Sequence, residues 1–201
     1  MSKPIPCELV TWNRFHALAR RLARQVRGSG YRPDIIVAIG RGGYMPGRIL
    51  SDFLGVMDLA TFKIEHYAGP RISKTPMIRY PLTADVGGRR VLLVDDVSDS
   101  GDTFDVAIAH VRSRGEPVEL RTAVLHHKTV SHFRPDYFAQ RVVKWRWIIY
   151  PWAVAEDVSS FLQAMRPRPS DIGDIARRLK TDYGIQISPA ILADVRSLLS
   201  D

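Results

Sequence analysis

"VLLVDDVSDSGDT", residues 91–103, drives four apolar residues into two adjacent carboxylates, Asp95 and Asp96, and then into a short polar run. The apolar stretch has no alternation and reads as a strand buried on both faces of a parallel sheet. An amphipathic segment, "TFDVAIAHVRSRG", follows, so the polar run joins a strand to a helix. In a parallel sheet, ligands bind beyond the carboxyl ends of the strands, which is where residues 95–103 fall. Ser100, Thr103 and the first amides of the helix offer donors to a phosphate. Gly101 lets the backbone approach that ligand closely. Asp95 and Asp96 cannot serve the phosphate, because carboxylates accept and do not donate. They call for hydroxyl donors such as those of a ribose, or for a hard cation such as Mg2+. Phosphate, polyol and metal side by side describe a sugar phosphate. A capped turn accounts for any one of these residues but not for the whole string.

Working outward, "DIIVAIG" (34–40) is a second buried strand and "MPGRILSDFLG" a helix closing at Gly55. "LATFKIEHY" (59–67) alternates like a strand, and 68–81, with three prolines and no period, reads as a mobile loop or irregular hairpin. "VELRTAVLHHK" and "RVVKWRWIIY" (141–150) read as further strands, and "AVAEDVSSFLQAM" as a helix. Upstream, Phe15, Leu18, Ala19, Leu22 and Val26 recur at helical spacing between arginines. Strands alternating with helices predict an α/β fold with a doubly wound, mainly parallel sheet flanked by helices. The character changes at "RPRPSD" (166–171). Beyond it two helical patterns follow, the second opening at Ser188–Pro189, a cap and first-turn pair. The expected division is a main domain over 1–166 and a small helical appendage over 167–201.

The chain has 201 residues, of which 45% are hydrophobic and 25% charged, as in ordinary globular proteins. The longest apolar run is too short to span a membrane, and the first residues show no apolar core of a secretion signal. One cysteine, Cys7, precludes an internal disulfide, so a cytoplasmic location is expected. Lys and Arg outnumber Asp and Glu by 29 to 21, a formal charge of +8 that favours anionic partners without choosing among them. His66, His110, His126, His127 and His132 lack metal-site spacing and read as surface or packing residues.

Residues 91–103 resemble the 5-phosphoribosyl-1-pyrophosphate (PRPP) signature of the type I phosphoribosyltransferases, with Ser98 in place of the usual aliphatic residue. The resemblance extends to the xanthine-guanine branch of purine enzymes. "VTWNRFHALARRLA" is similar to its N-terminal helix, "RGGYMPGRILSDFLG" to its pyrophosphate loop and following helix, and "WIIYPW" (147–152) to its purine segment. It implies the type I phosphoribosyltransferase fold and transfer of the phosphoribosyl group from PRPP to a 6-oxopurine (xanthine, guanine or hypoxanthine), giving nucleoside monophosphate and pyrophosphate in purine salvage. It also implies Mg2+ as cofactor and a homo-oligomer, dimer or tetramer.

The resemblance assigns roles residue by residue. Arg41, Gly42 and Gly43 would hold pyrophosphate, with a non-proline cis bond expected at Arg41–Gly42. Asp95 and Asp96 would hold the ribose and the metal's environment. Asp99 would face the purine N7 as the acid/base or orienting carboxylate. The 5′-phosphate would sit on Asp99, Ser100, Gly101, Asp102 and Thr103. Lys128 would read the purine 6-oxo group, Trp147 would stack on the base, and the Ile148 backbone would meet its 2-position. Trp145, two residues earlier, would pack. The segment at Tyr67 would be the mobile loop that closes over the reaction, bringing Lys74 and Arg79 toward the pyrophosphate. Preference among the three bases depends on backbone geometry at 148–150, where Ile149 replaces a glutamate of the bacterial enzyme. The competing reading is a PRPP-sensing, nucleic-acid-binding regulator on the same fold. Its support is the +8 charge and the basic tail residues Arg177, Arg178 and Lys180. On the leading reading no nucleic acid or membrane partner is expected.

Overall fold

The computed structural model describes residues 5–67 and 75–199. The described chain divides into two units, one formed by residues 16–144 and the other by residues up to 15 together with 145–201.

The 16–144 unit is built on a six-stranded sheet of order β4-β3-β2-β5-β6-β7. Its strands are β2 (Ile35–Gly40), β3 (Leu59–Tyr67), β4 (Thr75–Tyr80), β5 (Arg90–Ser98), β6 (Glu119–Lys128) and β7 (Tyr137–Val142). All neighbours run parallel except β4, which returns antiparallel beside β3. Every residue of β2 is buried, as a central strand covered on both faces requires. One face packs Ile35, Val37, Ile39, Val91, Leu93 and Val124 against Phe104, Ala107 and Val111 of α3 (Asp102–Ser113). Helix α2 (Tyr44–Leu54) leads from β2 to β3 and ends at Gly55, in the left-handed region at φ 69°. Helix α1 (Trp12–Gly28) buries Leu18, Ala19, Leu22, Ala23 and Val26 and leaves its arginines outside.

The chain leaves β2 toward β3 on one side and continues from β5 toward β6 on the other. The seam between β2 and β5 is therefore a topological switch point, where an open α/β sheet forms a crevice at its carboxyl edge.

The other unit holds a small parallel sheet of β1 (Cys7–Leu9) and β8 (Trp147–Ile149), with Cys7 opposite Trp147. Helices α4 (Val154–Ala164), α5 (Ile172–Tyr183) and α6 (Pro189–Ser197) complete it. Ile149, Val158, Phe161, Leu162 and Met165 share one core with Ile175, Leu179, Ile185, Leu192 and Val195. Ser188 caps α6 by accepting from the Ile191 amide, as the Ser-Pro pair predicts.

One expectation needs correction. The stretch 141–150 is not one strand: β7 ends at Val142 and β8 begins at Trp147, in different sheets. The residues between include exposed Val143, Lys144 and Trp145, the last 42% exposed. Of the stretch 68–81, expected as a mobile loop or irregular hairpin, residues 75–80 form the hairpin strand β4, an edge strand antiparallel to β3 with a register shift between Lys63 and Ile64, and its Met77 and Tyr80 stay exposed. The tail helices fall in one unit with α4 and β8 and carry apolar partners of both.

Candidate active site

Within the 16–144 unit, the carboxyl ends of β2, β5 and β6 bring together most of the residues singled out in the sequence. Arg41 and Gly42 follow β2 directly, and Gly43 caps α2. The non-proline cis bond lies at Gly40–Arg41, one residue before the expected place, since the turn starts as soon as β2 ends. Gly42 lies against Asp96 across the switch point. A Cβ built there would stand 2.6 Å from Cγ and Oδ2 of Asp96. Only glycine permits this approach between the loop and the carboxylate.

Asp95 is buried on β5 and accepts the Asp96 amide at its Oδ1, 2.9 Å away. Burial, and next the neighbouring Asp96 charge, push its carboxyl well above the usual carboxylate range. A hard cation or hydroxyl donors placed against these two crowded carboxyls would offset that rise and favour their ionised, acceptor-only form.

The polar run after β5 turns into α3 at Gly101, whose φ of 111° excludes most other residues. Gly101 has no side chain with which to cap α3, and the Ser100 hydroxyl shapes the loop from within, accepting the Asp102 amide at 3.4 Å and donating to the Asp102 carboxylate at 2.9 Å. A helix amino end of this kind is suited to an anion. On the neighbouring strand, Lys128 is almost fully buried and donates its ammonium to the Asp99 carboxylate.

Ser98 and the 131–133 segment were not singled out as site-building residues, and they support the loop. Ser98, fully buried, shares a hydrogen bond of 2.8 Å with the Ser131 hydroxyl, and Ser131 donates to the Phe133 carbonyl at 3.0 Å. The His132 amide donates to the Ser100 carbonyl at 3.0 Å, and Phe133 stacks on Phe104 of α3 with centroids 4.7 Å apart. The serine at 98 was the one signal in the sequence, a polar residue where the related motif is aliphatic. His132 meets Asp105 at 2.8 Å, and this bond raises its pKa.

The remaining predicted residues lie elsewhere. Tyr67 is the last residue of β3. The segment 68–74, with Lys74 and much of the expected mobile loop, lies outside the described residues. Trp147 and Ile148 lie on β8 in the other unit, where Ile148 is buried and Trp147 is 39% exposed.

The phosphoribosyl transferase domain model matches residues 8–158. The chain is 28% identical over 189 residues to the hypoxanthine-guanine phosphoribosyltransferase of Saccharomyces cerevisiae, spanning 72% of this chain and 85% of that protein. It is 28% identical over 152 residues to the xanthine-guanine phosphoribosyltransferase of Cereibacter sphaeroides, spanning 73% of this chain and 86% of that one. The crystal structure of a purine phosphoribosyltransferase from Pyrococcus horikoshii matches with a TM-score of 0.65 and 34% identity, covering 73% of this chain and 93% of that chain.

Proposed function

The chain belongs to the phosphoribosyl transferase domain family, and from that premise we propose that it transfers the phosphoribosyl group of PRPP to a 6-oxopurine, a reaction of purine salvage. The observation that carries this reading is the Lys128–Asp99 pair beside the acidic strand end. A buried donor and a carboxylate, held together, match the 6-oxo group and N7 of such a base.

In the reaction, a purine nitrogen forms a bond to C1′ as the bond to pyrophosphate breaks, through a transition state of oxocarbenium character. Arg41 and the backbone of Gly42 and Gly43 would receive the leaving pyrophosphate. Ribose hydroxyls would donate to Asp95 and Asp96. Ser100, Thr103 and the amino end of α3 would take the 5′-phosphate, with Asp99, Gly101 and Asp102 shaping that loop. Asp99 would hold the proton at N7, and Lys128 would donate to the 6-oxo oxygen. Trp147 would stack on the base, with the Ile148 backbone at its 2-position. The donor set of Asp95 and Asp96 fits Mg2+, which when bound would offset charge on PRPP's pyrophosphate.

The regulator reading draws less support from the tail than its composition suggested. Arg177 is paired with Asp174, and Arg178 donates to the Pro167 carbonyl at 2.6 Å. Two of the three basic residues are thus engaged within their own unit. Among the described residues no helix is long and apolar enough to cross a membrane. A cytoplasmic homo-oligomer completes the proposal.

The test is a panel of hypoxanthine, guanine, xanthine, adenine and orotate with PRPP and Mg2+, following nucleotide formation. Product from the 6-oxopurines alone, abolished by excess chelator, is expected. Efficient use of adenine or orotate, or undiminished activity in chelator, would overturn the reading.

A further inference from the structure

Trp147 is tied down at one edge while its ring stays open to solvent. Its indole N–H donates to Oδ1 of Asp157 at 3.0 Å. Its backbone is fixed as well, since its amide donates to the Pro6 carbonyl at 2.8 Å and β8 pairs with β1. Asp157 stands in the first turn of α4 and is only partly exposed.

A carboxylate in that turn interacts favourably with the helix amino end. Exposed Glu156 beside it supplies the same charge without any burial cost. The helix therefore does not explain why a second carboxylate is partly withdrawn from water. The indole bond does, because a buried acceptor needs a donor. Besides Trp147, the ionisable neighbours are the Cys7 thiol on β1, itself pushed up to about 11, and Glu156 on the same helix.

We propose that Asp157 is a positioning residue that fixes the plane of the Trp147 ring, so that a purine base meets an already oriented stacking surface. This rests on the purine-transfer reading of the site. An unanchored tryptophan rotates about two side-chain torsions and must be immobilised when the base binds, whereas an anchored one has lost that freedom beforehand. Stacking accepts any purine face. Loss of the anchor should thus weaken all bases alike and leave PRPP untouched.

Burial raises the Asp157 carboxyl to about 6, with the indole bond opposing that rise. The charged acceptor is present above that pH and is replaced by a weaker neutral one below it.

The experiment compares Asp157→Ala, Asp157→Asn, Trp147→Phe and the double variant Asp157→Ala/Trp147→Phe, with KM for base and PRPP, kcat and thermal stability measured for each. Asp157→Ala should raise the base KM about tenfold, the scale of one lost hydrogen bond to a charged group, with kcat and the PRPP KM little changed. Asp157→Asn, whose amide oxygen still accepts, should recover most of that loss. In the Trp147→Phe background, which has no indole donor, Asp157→Ala should add nothing to the base KM. Equal losses from Asp157→Ala in both backgrounds would overturn the proposal, leaving Asp157 a support of α4 alone. Tryptophan emission gives a readout independent of turnover. The difference between wild type and Trp147→Phe should titrate near pH 6 and lose that titration in Asp157→Asn, and a flat difference would also overturn the pairing. A wild type that makes no nucleotide while the emission titrates would refute the transfer reading, and the purine-positioning role with it, yet leave the Trp147–Asp157 contact standing.

Discussion

Lys128 and Asp99 meet at the ends of adjacent parallel strands, with the ammonium almost fully buried and the carboxylate 41% exposed. The register that places Ser98 opposite His127 brings the next residue of each strand into reach. The buried member therefore depends on the exposed one for its compensation, while water can still reach the carboxylate.

Asp99→Asn should lower kcat about 10²–10⁴-fold, the usual contribution of a general acid–base group, with a far smaller effect on PRPP binding. The amide keeps an acceptor for Lys128 but loses the charge. Steady-state kinetics alongside PRPP titration separate the two effects. Wild-type turnover would reduce Asp99 to a turn residue.

Lys128→Met should abolish discrimination in favour of 6-oxopurines, which sites built on one hydrogen bond can raise to about 10⁴-fold. The lysine offers three donors and no acceptor, so adenine's amino group would meet donor with donor. Methionine preserves an apolar stem and removes a buried charge, so the fold should tolerate it. Specificity constants for hypoxanthine and adenine check this. Unchanged base preference would refute the assignment.

Gly42→Ala should cut kcat/KM for PRPP about 10²-fold, the penalty of an ångström-scale displacement of a site group. Its Cβ would lie 2.6 Å from Oδ2 of Asp96, so the carboxylate must move. Thermal melting should change far less than activity. Full activity would show that the loop and the acidic pair are not held in contact during the reaction.

Asp34 and Arg90 offer a stability test away from the chemistry, at the amino ends of β2 and β5. Arg90 Nη2 donates to Asp34 Oδ1 at 2.6 Å and its amide to Oδ2 at 2.8 Å. The Arg90 side-chain bonds, then its amide bond, lower the Asp34 carboxyl to about 2 from its ordinary 3.8. A lowered folded pKa stabilises above the unfolded value, and that contribution is lost as pH falls from about 4 toward 2. The pair is well exposed, so solvent screening keeps this contribution small. Urea midpoints of wild type and Asp34→Asn should differ at pH 7 and converge near pH 2. A constant difference would contradict the assignment.

Removing residues 167–201 should unfold the unit that carries β8 instead of trimming an appendage. Ile175, Leu179, Leu192 and Val195 are buried against Phe161, Leu162 and their neighbours. At roughly 1.5–3 kcal/mol per buried side chain, their loss is comparable to the whole stability of a small domain. A truncated chain with an unchanged melting transition would refute this.

Much was legible locally. The run 91–103 announced a buried strand, a polar turn and a helix start because strand burial and helix capping act over neighbouring residues. Ser188–Pro189 marked the start of α6 for the same reason. What the tertiary structure alone decided was pairing across distance. β8 adds to β1, not to the main sheet, and the tail supplies the core beneath β8 and α4. Ser98 finds Ser131, Lys128 finds Asp99 and Trp147 finds Asp157. Periodicity reports which face of a segment avoids water, but it does not name the segment that covers that face. Register and topology make that choice, because a buried donor or acceptor can be satisfied only by the partner the folded chain brings within hydrogen-bond reach.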